Sequence, residues 1–186
     1  MRVVAGQLRG KRLFTPKDSA IRPTSDRTRE TMFNLLGPAW RGRLVLDLFS
    51  GTGALGIEAL SRGFEKALFV EKDRTAIALL TRNLTLCRLE PRSQIESVDV
   101  FRFLEKPHPW GAFDLVLLDP SYGKGHVERT LALLGGGPWV SPVGKVVCEG
   151  ERELTIQEQY GCLTRVKHRL YGSASVHLFE REEHEG

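Results

Sequence analysis

The chain has 186 residues, of which 41% are hydrophobic, and a net charge of +4. This length and composition suit one globular domain with a sizeable core. No apolar run approaches the roughly 18 residues of a membrane span, and the first residues lack a signal-peptide core, so we expect a cytoplasmic protein that is not inserted in a membrane. The three cysteines lack metal-ligand spacing, which predicts reduced thiols, no disulfide and no zinc site.

Positive charge is concentrated at the N-terminus. Residues 1–43 contain ten lysines and arginines against three acidic residues, a net charge of +7, so the rest of the chain carries −3. Arg2–Ala5 and Lys11–Phe14 predict a hairpin across the loop Gly6–Gly10. It would aim three basic side chains outward: Arg9, Lys11 and Arg12. A basic arm on an acidic body is typical of nucleic-acid binding, although an ordinary solvated surface is the alternative.

Helical and strand patterns alternate along the rest of the chain. Helices are predicted at Asp26–Leu36, Ala54–Arg62, Arg74–Cys87, His126–Leu134 and Leu154–Tyr160. Strands are predicted at Leu44–Phe49, Ala67–Glu71, Gln94–Val98, Phe113–Leu118, Gly144–Cys148, Thr164–Tyr171 and Ser175–Glu180, the last two forming a terminal hairpin. This alternation indicates a mostly parallel sheet covered by helices on both faces, with ligands at the carboxyl ends of the strands.

The first motif places Asp47 near the end of an apolar strand, just before a glycine turn that opens a helix. Gly51 and Gly53 allow close approach of backbone to a ligand, and the helix begins with unpaired N–H groups. Together with Gly56 they also match the dinucleotide pattern G-x-G-x-x-G, with Glu71 twenty residues beyond Gly51. However, a carboxylate at Asp47 would repel a pyrophosphate. A positively charged cofactor such as S-adenosylmethionine fits better, the structural alternative being a simple capped turn.

The second motif follows another buried-strand pattern, Phe113–Leu118, and reads Asp119-Pro120-Ser121-Tyr122. It resembles the D-P-P-[YF] motif of methyltransferases that act on exocyclic amines of bases. Such an amine is a poor nucleophile, so the site must accept its N–H bonds. Asp119 and the Pro120 carbonyl are suitable acceptors, and Tyr122 offers a face for a base taken out of its stack. Alone, the motif could be an Asx-Pro turn.

With both motifs present, the chain resembles the RsmD family of bacterial small-subunit ribosomal RNA guanine-N2 methyltransferases over nearly its whole length. The resemblance extends to the opening Met1–Leu13, to the block Ile21–Leu36 with its Arg-Pro-Thr, and to Ile57–Gly63 after the glycine turn. Ser121 departs from it, because the family usually has a second proline there. Ser121 leaves the loop less rigid.

The resemblance implies an α/β fold: a Rossmann-like class I S-adenosylmethionine-dependent methyltransferase. Its mostly parallel sheet has seven strands, with the last antiparallel, and a small N-terminal hairpin and helix extension. Residues 1–186 would form one domain, with 1–43 binding RNA and 44–186 forming the catalytic core. The expected partner is 16S ribosomal RNA, within a partly assembled 30S particle. We expect a monomer that uses no metal.

Site roles follow from the shape of this cofactor. Asp47 suits the methionine ammonium, Glu71 the ribose hydroxyls, and Asp99 with the Val100 N–H the adenine. The resemblance places Arg22 and Thr24 over the methionine end. The full predicted cofactor set is Asp47, Phe49, Gly51, Gly53, Glu71, Lys72, Asp99, Val100, Arg22 and Thr24.

At the substrate end, the predicted catalytic residues are Asp119, Pro120 and Tyr122. Lys124 is placed to touch a phosphate, a solvated loop lysine being the alternative, and Glu149 is either structural or on the substrate side. Four of the five histidines fit no base or metal pattern and are expected at turns or in solvent: His108, His126, His168 and His177.

Several rival functions stay open. Another amino-directed nucleic-acid methyltransferase, acting on adenine N6 in RNA or DNA, shares the second motif, but a DNA enzyme usually carries a target-recognition region for which 186 residues leave no room. A small-molecule methyltransferase has no need of the basic arm, and an RNA-binding module has no need of the carboxylates. Methylation of ring carbon C5 is disfavoured, because no cysteine follows a proline.

Overall fold

The computed structural model describes residues 1–16, 25–37 and 42–182. The strands are β1 (Leu44–Leu48), β2 (Lys66–Glu71), β3 (Ser93–Ser97), β4 (Phe113–Leu118), β5 (Val140–Glu151), β6 (Gln159–Tyr160), β7 (Leu163–Tyr171) and β8 (Ala174–Arg181). The helices are α1 (Asp26–Leu36), α2 (Ala54–Ser61), α3 (Arg74–Cys87), α4 (Val100–Phe103) and α5 (His126–Gly136), with a 3₁₀ turn at Glu90–Arg92.

All the described strands join one sheet in the order β3-β2-β1-β4-β5-β8-β7-β6. Strands β1 to β5 are parallel, whereas β8 is antiparallel to β5, β7 to β8 and β6 to β7. The predicted Rossmann-like sheet is therefore confirmed, but the predicted count of seven strands is wrong. The additional strand is β6, and it runs against the parallel strands as β8 does.

The predicted helix Leu154–Tyr160 is also wrong. None of these residues is helical: residues 154–158 form an irregular segment and Gln159–Tyr160 form a strand. Gln159 and Tyr160 then pair with the start of β7 across a turn at Gly161, where φ is +56°. The buried Tyr160 ring packs edge-on against Phe179, 6.0 Å between ring centroids.

Each face of the sheet carries its own apolar core. Helices α1, α2 and α3 cover one face, where Met32, Ile57 and Leu80 are fully buried against the side chains of β1, β2 and β4. Residues of α4 and α5 cover the other face, where Leu131 is fully buried. Because both faces are covered, β1, β2 and β4 consist mostly of apolar residues. No helix in the described ranges is long and apolar enough to cross a membrane.

The N-terminal hairpin forms only one β-bridge, between Arg2 and Arg12. The described residues do not form a longer ladder, because backbone amides that could extend it donate to side chains of α2 instead. The amides of Val4 and Ala5 donate to the Glu58 carboxylate, at 2.8 and 2.9 Å. Glu58 is fully buried and also pairs with Arg62 at 2.8 Å. Sequence patterns did not reveal this anchor, which fixes the arm to the helix that follows the glycine turn.

The buried His177 contradicts the expected turn or solvent position. It lies in β8 with 1% exposure, and its ring stacks on that of His168 at 4.5 Å between centroids. Ser175 Oγ lies 3.0 Å from its Nε2. Burial, with further contributions from His168 and Arg165, lowers the pKa of His177 to about 4. A protonated ring would be poorly solvated there, so the folded protein holds His177 neutral.

Acid should therefore destabilise the fold partly through His177. Its folded-state pKa lies below the ordinary value of 6.5, so the stability it contributes is complete above that value and is lost as the pH falls towards 4. His177→Phe keeps a ring against His168 but cannot titrate. Between pH 7 and pH 4, the unfolding free energy of wild type should fall by on the order of 2 kcal/mol more than that of the variant. Urea denaturation across this range measures the difference, and parallel pH profiles would contradict the assignment.

Candidate active site

Four carboxylates lie at or just beyond the ends of neighbouring parallel strands. Asp47 is the penultimate residue of β1, Glu71 ends β2, Asp99 follows β3 by two residues, and Asp119 comes directly after β4. Because β1 pairs in parallel with both β2 and β4, these ends meet at the same edge of the sheet. Ligands of open α/β sheets bind at this edge.

The glycine turn connects β1 to α2 through unusual backbone conformations. Phe49 adopts φ +57° and Gly53 φ +83°, the left-handed region that favours glycine. The Gly53 amide donates to the Ser50 carbonyl at 2.7 Å, and α2 begins at the next residue. At Gly51, no atom lies within 4 Å of the position that a Cβ would occupy. The turn therefore presents bare backbone to open space beside the first turn of a helix.

Asp47 is buried, with 1% exposure, and its Oδ2 accepts a hydrogen bond from the Gly56 amide at 2.8 Å. This contact requires α2 to approach closely: a Cβ at Gly56 would lie 2.3 Å from a ring carbon of Phe69. The other oxygen, Oδ1, has no hydrogen-bond partner among the described residues. Burial, opposed by the Gly56 amide and reinforced by Glu71, raises the pKa of Asp47 to about 7. A buried carboxylate oxygen without a donor fits a cationic ligand group.

Glu71 is held in one orientation by backbone amides. Its Oε2 accepts from the Gly51 amide at 2.9 Å, which links β2 to the glycine turn. Its Oε1 accepts from the amides of Lys72 and Asp73, at 2.8 and 2.9 Å. A carboxylate fixed in this way can present its remaining lone pairs to a diol without further ordering.

Asp99 caps α4 by accepting from the Phe101 amide at 3.0 Å, and its other oxygen meets the Lys72 ammonium at 2.9 Å. The hydrogen bond from Lys72 is the main cause that lowers the pKa of Asp99. Val100 begins α4, so its amide belongs to the first turn, where N–H groups lack intrahelical partners. This corner offers both an acceptor and a donor to a ligand.

An aromatic group lies between the glycine turn and α5, and no sequence pattern predicted it. The Phe49 ring stacks on His126 at 5.5 Å between centroids and 8° between planes. Phe101 packs edge-on against both rings. The Arg129 guanidinium covers Phe101 at 3.9 Å from its centroid. The stack explains why Phe49 tolerates a positive φ, because its ring is held by packing on both α4 and α5.

At the substrate end, Asp119 lies partly buried beside two other carboxylates. Burial, together with the charges of Glu149 and Asp47, raises the pKa of Asp119 well above its usual range. Glu149, in β5, is 6% exposed and accepts a hydrogen bond from the Tyr122 hydroxyl at 2.8 Å. This hydrogen bond connects Glu149 of β5 to the D-P-S-Y loop.

An open cavity of about 260 Å³ adjoins this loop, lined by residues 120–128, 150, 151 and 154. Lys124 is exposed at its border. Tyr122 is 37% exposed, so part of its ring remains accessible while Glu149 fixes the hydroxyl end. A planar group can therefore reach both the ring and the Pro120 backbone from this cavity.

The predicted RNA-binding side chains of the arm are exposed, but they are spread along it. Arg12 lies at the end near α1, because its bridge partner Arg2 approaches Asp26 at 3.4 Å. Arg9 lies at the other end, where the neighbouring Gln7 amide donates to the Ser61 carbonyl at the end of α2. Lys11 lies between them. The predicted cofactor residues Arg22 and Thr24 fall outside the described residues.

Thiol and metal chemistry find no support in the described residues. No group of three or more histidine, cysteine, aspartate or glutamate side chains in those ranges could hold a metal ion. Cys87, Cys148 and Cys162 are free. Burial raises the pKa of the Cys148 thiol to about 12, so it stays protonated and is a poor nucleophile.

The sheet order and the carboxylate edge define a Rossmann-like methyltransferase fold. The solved structure of yhhF from Escherichia coli has a TM-score of 0.82 and 31% identity, over 98% of both chains. The sequence matches the family described as Conserved hypothetical protein 95 over residues 1–180, and the chain belongs to this family. Ribosomal RNA small subunit methyltransferase D is 32% identical in Escherichia coli, over 98% of this chain and 90% of that protein. Its Haemophilus influenzae counterpart is 34% identical, over 97% and 93%. The resemblance to the RsmD family is thus confirmed.

Proposed function

We propose that this protein transfers a methyl group from S-adenosylmethionine to the exocyclic N2 amine of a guanine in 16S ribosomal RNA. The proposal rests on two groups of residues that lie at one edge of the sheet, which we call the cofactor half and the substrate half of the site. Asp47 and Glu71 suit the cofactor, and Asp119 with Pro120 suits an amine. The relatives named ribosomal RNA small subunit methyltransferase D supply the substrate class.

In the cofactor half, the unpartnered Oδ1 of Asp47 would accept from the methionine ammonium. Glu71 would accept from the ribose hydroxyls, while Asp99 and the Val100 amide would bind the adenine. Lys72 would hold Asp99 in place, and Phe49 would close the adenine side with its stacked ring. The bound cofactor supplies a methyl group on a sulfonium, which is a good leaving group. We assign Arg22 and Thr24 to the methionine end by family resemblance alone.

In the substrate half, Asp119 and the Pro120 carbonyl would accept the two N–H bonds of the amine and hold its nitrogen in line with the methyl group. Correct orientation of reactants can contribute about 7 to 11 kcal/mol. The raised pKa of Asp119 makes its carboxylate a stronger base than an ordinary aspartate. It can therefore accept the proton that the amine loses. Tyr122 would stack on the flipped base, which contributes about 1 to 3 kcal/mol.

The substrate would be contacted by residues 1–43, with residues 44–186 forming the catalytic core. Charge supports this division, because the first part carries +7 and the second −3. We expect a partly assembled 30S particle to be a better substrate than free RNA. The protein would act as a monomer in the cytoplasm.

RNA affinity should fall steeply with salt concentration, because phosphate contacts release counterions. Replacing Arg9, Lys11 and Arg12 together with glutamine should flatten the slope of log affinity against log salt by about two to three units. Filter binding of 16S RNA at several salt concentrations measures this slope. Cofactor affinity should be unchanged, since these side chains are exposed and none is among the proposed cofactor ligands. An unaltered slope would remove the arm from the RNA interface.

The function itself is tested by nucleoside analysis of ribosomal RNA from cells that lack this protein. One N2-methylguanosine should be missing from 16S RNA and should return on complementation with the wild-type gene. A complete set of 16S modifications in the deletion strain would refute the proposal.

A further inference from the structure

The outer part of the sheet carries a second group of cations that the site described above does not use. Three exposed arginines lie at or near the turn between β7 and β8: Arg27, Arg152 and Arg169. The Arg27 guanidinium donates to the Tyr171 hydroxyl at 3.3 Å, and that of Arg152 donates to the Gly172 carbonyl at 2.9 Å. Arg169 lies two residues before Tyr171 in β7, is exposed, and donates to the His168 carbonyl at 2.9 Å. We call these three residues the β7 arginine cluster.

The cluster lies at the same edge of the sheet as the active site. Strand β7 is antiparallel to β8, which is antiparallel to β5, so the end of β7 lies beside the end of β5. Val176 of β8 pairs with both Glu149 and Arg169, and directly paired residues point to the same face. Arg169 is thus on the face that carries Glu149, two strand spacings or about 10 Å away.

Charge around the cluster is unbalanced. Among the described residues, none of its three guanidinium groups forms an ion pair with a carboxylate. Two of the three, Arg152 and Arg169, lie in residues 44–186, whose net charge is −3. The outer side of β7 is also open, because β6 pairs only with Leu163 and Thr164 at its start. An exposed strand edge with unneutralised arginines and an aromatic ring fits a phosphodiester chain.

The loop of the N-terminal arm lies away from the glycine turn, whereas the end of the arm at Phe14 approaches that turn through Asn83, which binds the Phe14 backbone and the Thr52 carbonyl. The loop, with Arg9, is anchored to Ser61 at the far end of α2. Eight residues of α2 separate that end from the glycine turn, a length of about 12 Å. Arg12, at the near end of the arm, adjoins α1 through Arg2 and Asp26. Arg27, the next residue of α1, contacts Tyr171, so α1 connects the arm to the β7 arginine cluster.

We propose that the β7 arginine cluster binds the ribose-phosphate backbone of the RNA next to the target nucleotide. This inference rests on the proposed function, since it presupposes an RNA substrate at Asp119. Guanidinium groups would contact phosphates bidentately, and the Tyr171 ring would stack on a neighbouring unpaired base. The distance between Arg169 and Glu149 corresponds to a neighbouring nucleotide rather than to the reacting base.

The test compares two triple variants with the same change in charge. R27Q/R152Q/R169Q removes the cluster, whereas K66Q/R88Q/K106Q removes three exposed cations from other parts of the surface. Binding of 16S RNA is measured against salt concentration, and methyl transfer at increasing RNA concentrations. For the cluster variant we expect the salt slope to fall by about two units and KM for RNA to rise on the order of 100-fold near 0.1 M salt. Its kcat at saturating RNA should stay within about twofold of wild type, as should its affinity for S-adenosylhomocysteine.

Equal slopes and KM values for the two triple variants would overturn the proposal. So would a defect of the cluster variant on assembled subunits but not on protein-free RNA, because the surface would then contact a ribosomal protein. The single variant R169Q leaves both hydrogen bonds to the turn in place and should lower the slope by about 0.7. It therefore tests the cluster even if the triple variant misfolds. If wild-type protein methylates no RNA, the proposed function fails, whereas the salt slopes still decide whether the cluster binds RNA.

Discussion

Replacement of Asp119 by alanine is expected to slow methyl transfer by several orders of magnitude. Asp119 lies directly after β4, and burial beside Glu149 and Asp47 raises its pKa. The alanine variant would lose both an acceptor for the amine and a base for its proton. Each tenfold loss of rate corresponds to about 1.4 kcal/mol, so three orders of magnitude require about 4 kcal/mol of lost transition-state stabilisation. Single-turnover rates with saturating RNA measure the effect.

The same variant should bind the cofactor almost as well as wild type, because the proposed bonds of Asp119 are to the substrate amine. Glu105→Ala, at an exposed carboxylate, serves as the control for loss of negative charge. Tyr122→Ala should be less severe, with a loss of about 1 to 3 kcal/mol from base stacking. Tyr122→Phe separates the ring from its hydrogen bond to Glu149. A near-normal single-turnover rate in Asp119→Ala would mean that the acceptor lies elsewhere.

Replacement of Asp47 by asparagine should weaken binding of S-adenosylmethionine by about 1 to 3 kcal/mol, or roughly 5- to 150-fold. Asparagine keeps the shape of the side chain and can still accept from the Gly56 amide, but it has no charge for the ammonium. Because the pKa of Asp47 is raised to about 7, wild-type affinity should increase as the pH rises through that value. The variant should lack this dependence. Calorimetry from pH 6 to pH 8 measures both effects, and Glu71→Ala should cause a loss of similar size.

Protein stability should change in the opposite direction. A carboxyl group whose folded-state pKa is raised loses stabilisation as the pH rises from its ordinary value of 3.8 to about 7. Above pH 7, cofactor-free Asp47→Asn should therefore unfold at a higher denaturant concentration than wild type. A variant that is more stable yet binds the cofactor less tightly would identify Asp47 as a binding group rather than a structural one. Tight binding of NAD, with no response to S-adenosylhomocysteine, would contradict the cofactor assignment.

Local patterns predicted the elements whose signals are strong and continuous. Asp26–Leu36, Arg74–Cys87 and Phe113–Leu118 have the predicted bounds, because caps, helical spacing and a continuous apolar run each specify one structure. The position of the carboxylates at one edge followed from the same reasoning. Parallel strands place their carboxyl ends together, whatever the detailed packing.

What sequence patterns missed depends on contacts between distant residues. Glu58 lies on a helix where an exposed position is the usual place for a glutamate, yet it is fully buried by the amides of Val4 and Ala5. The stack of Phe49 on His126 joins residues from different elements, and no spacing rule reports such a pair. Strand β6 is only two residues long, which is too short for a periodic signal. The hydrogen bond between Tyr122 and Glu149 likewise joins residues of different elements.

In the proposed reaction, the cofactor half and the substrate half of the site together transfer a methyl group to a guanine amine. Its most direct test incubates purified protein with methyl-labelled S-adenosylmethionine and 16S RNA, as free RNA and as partly assembled particles, and digests the product to nucleosides. Wild-type protein should place the label in N2-methylguanosine, more efficiently in the particle, and Asp119→Ala should leave almost none. Label in adenine or in a small metabolite, or undiminished N2-methylguanosine from the Asp119→Ala variant, would contradict the claim.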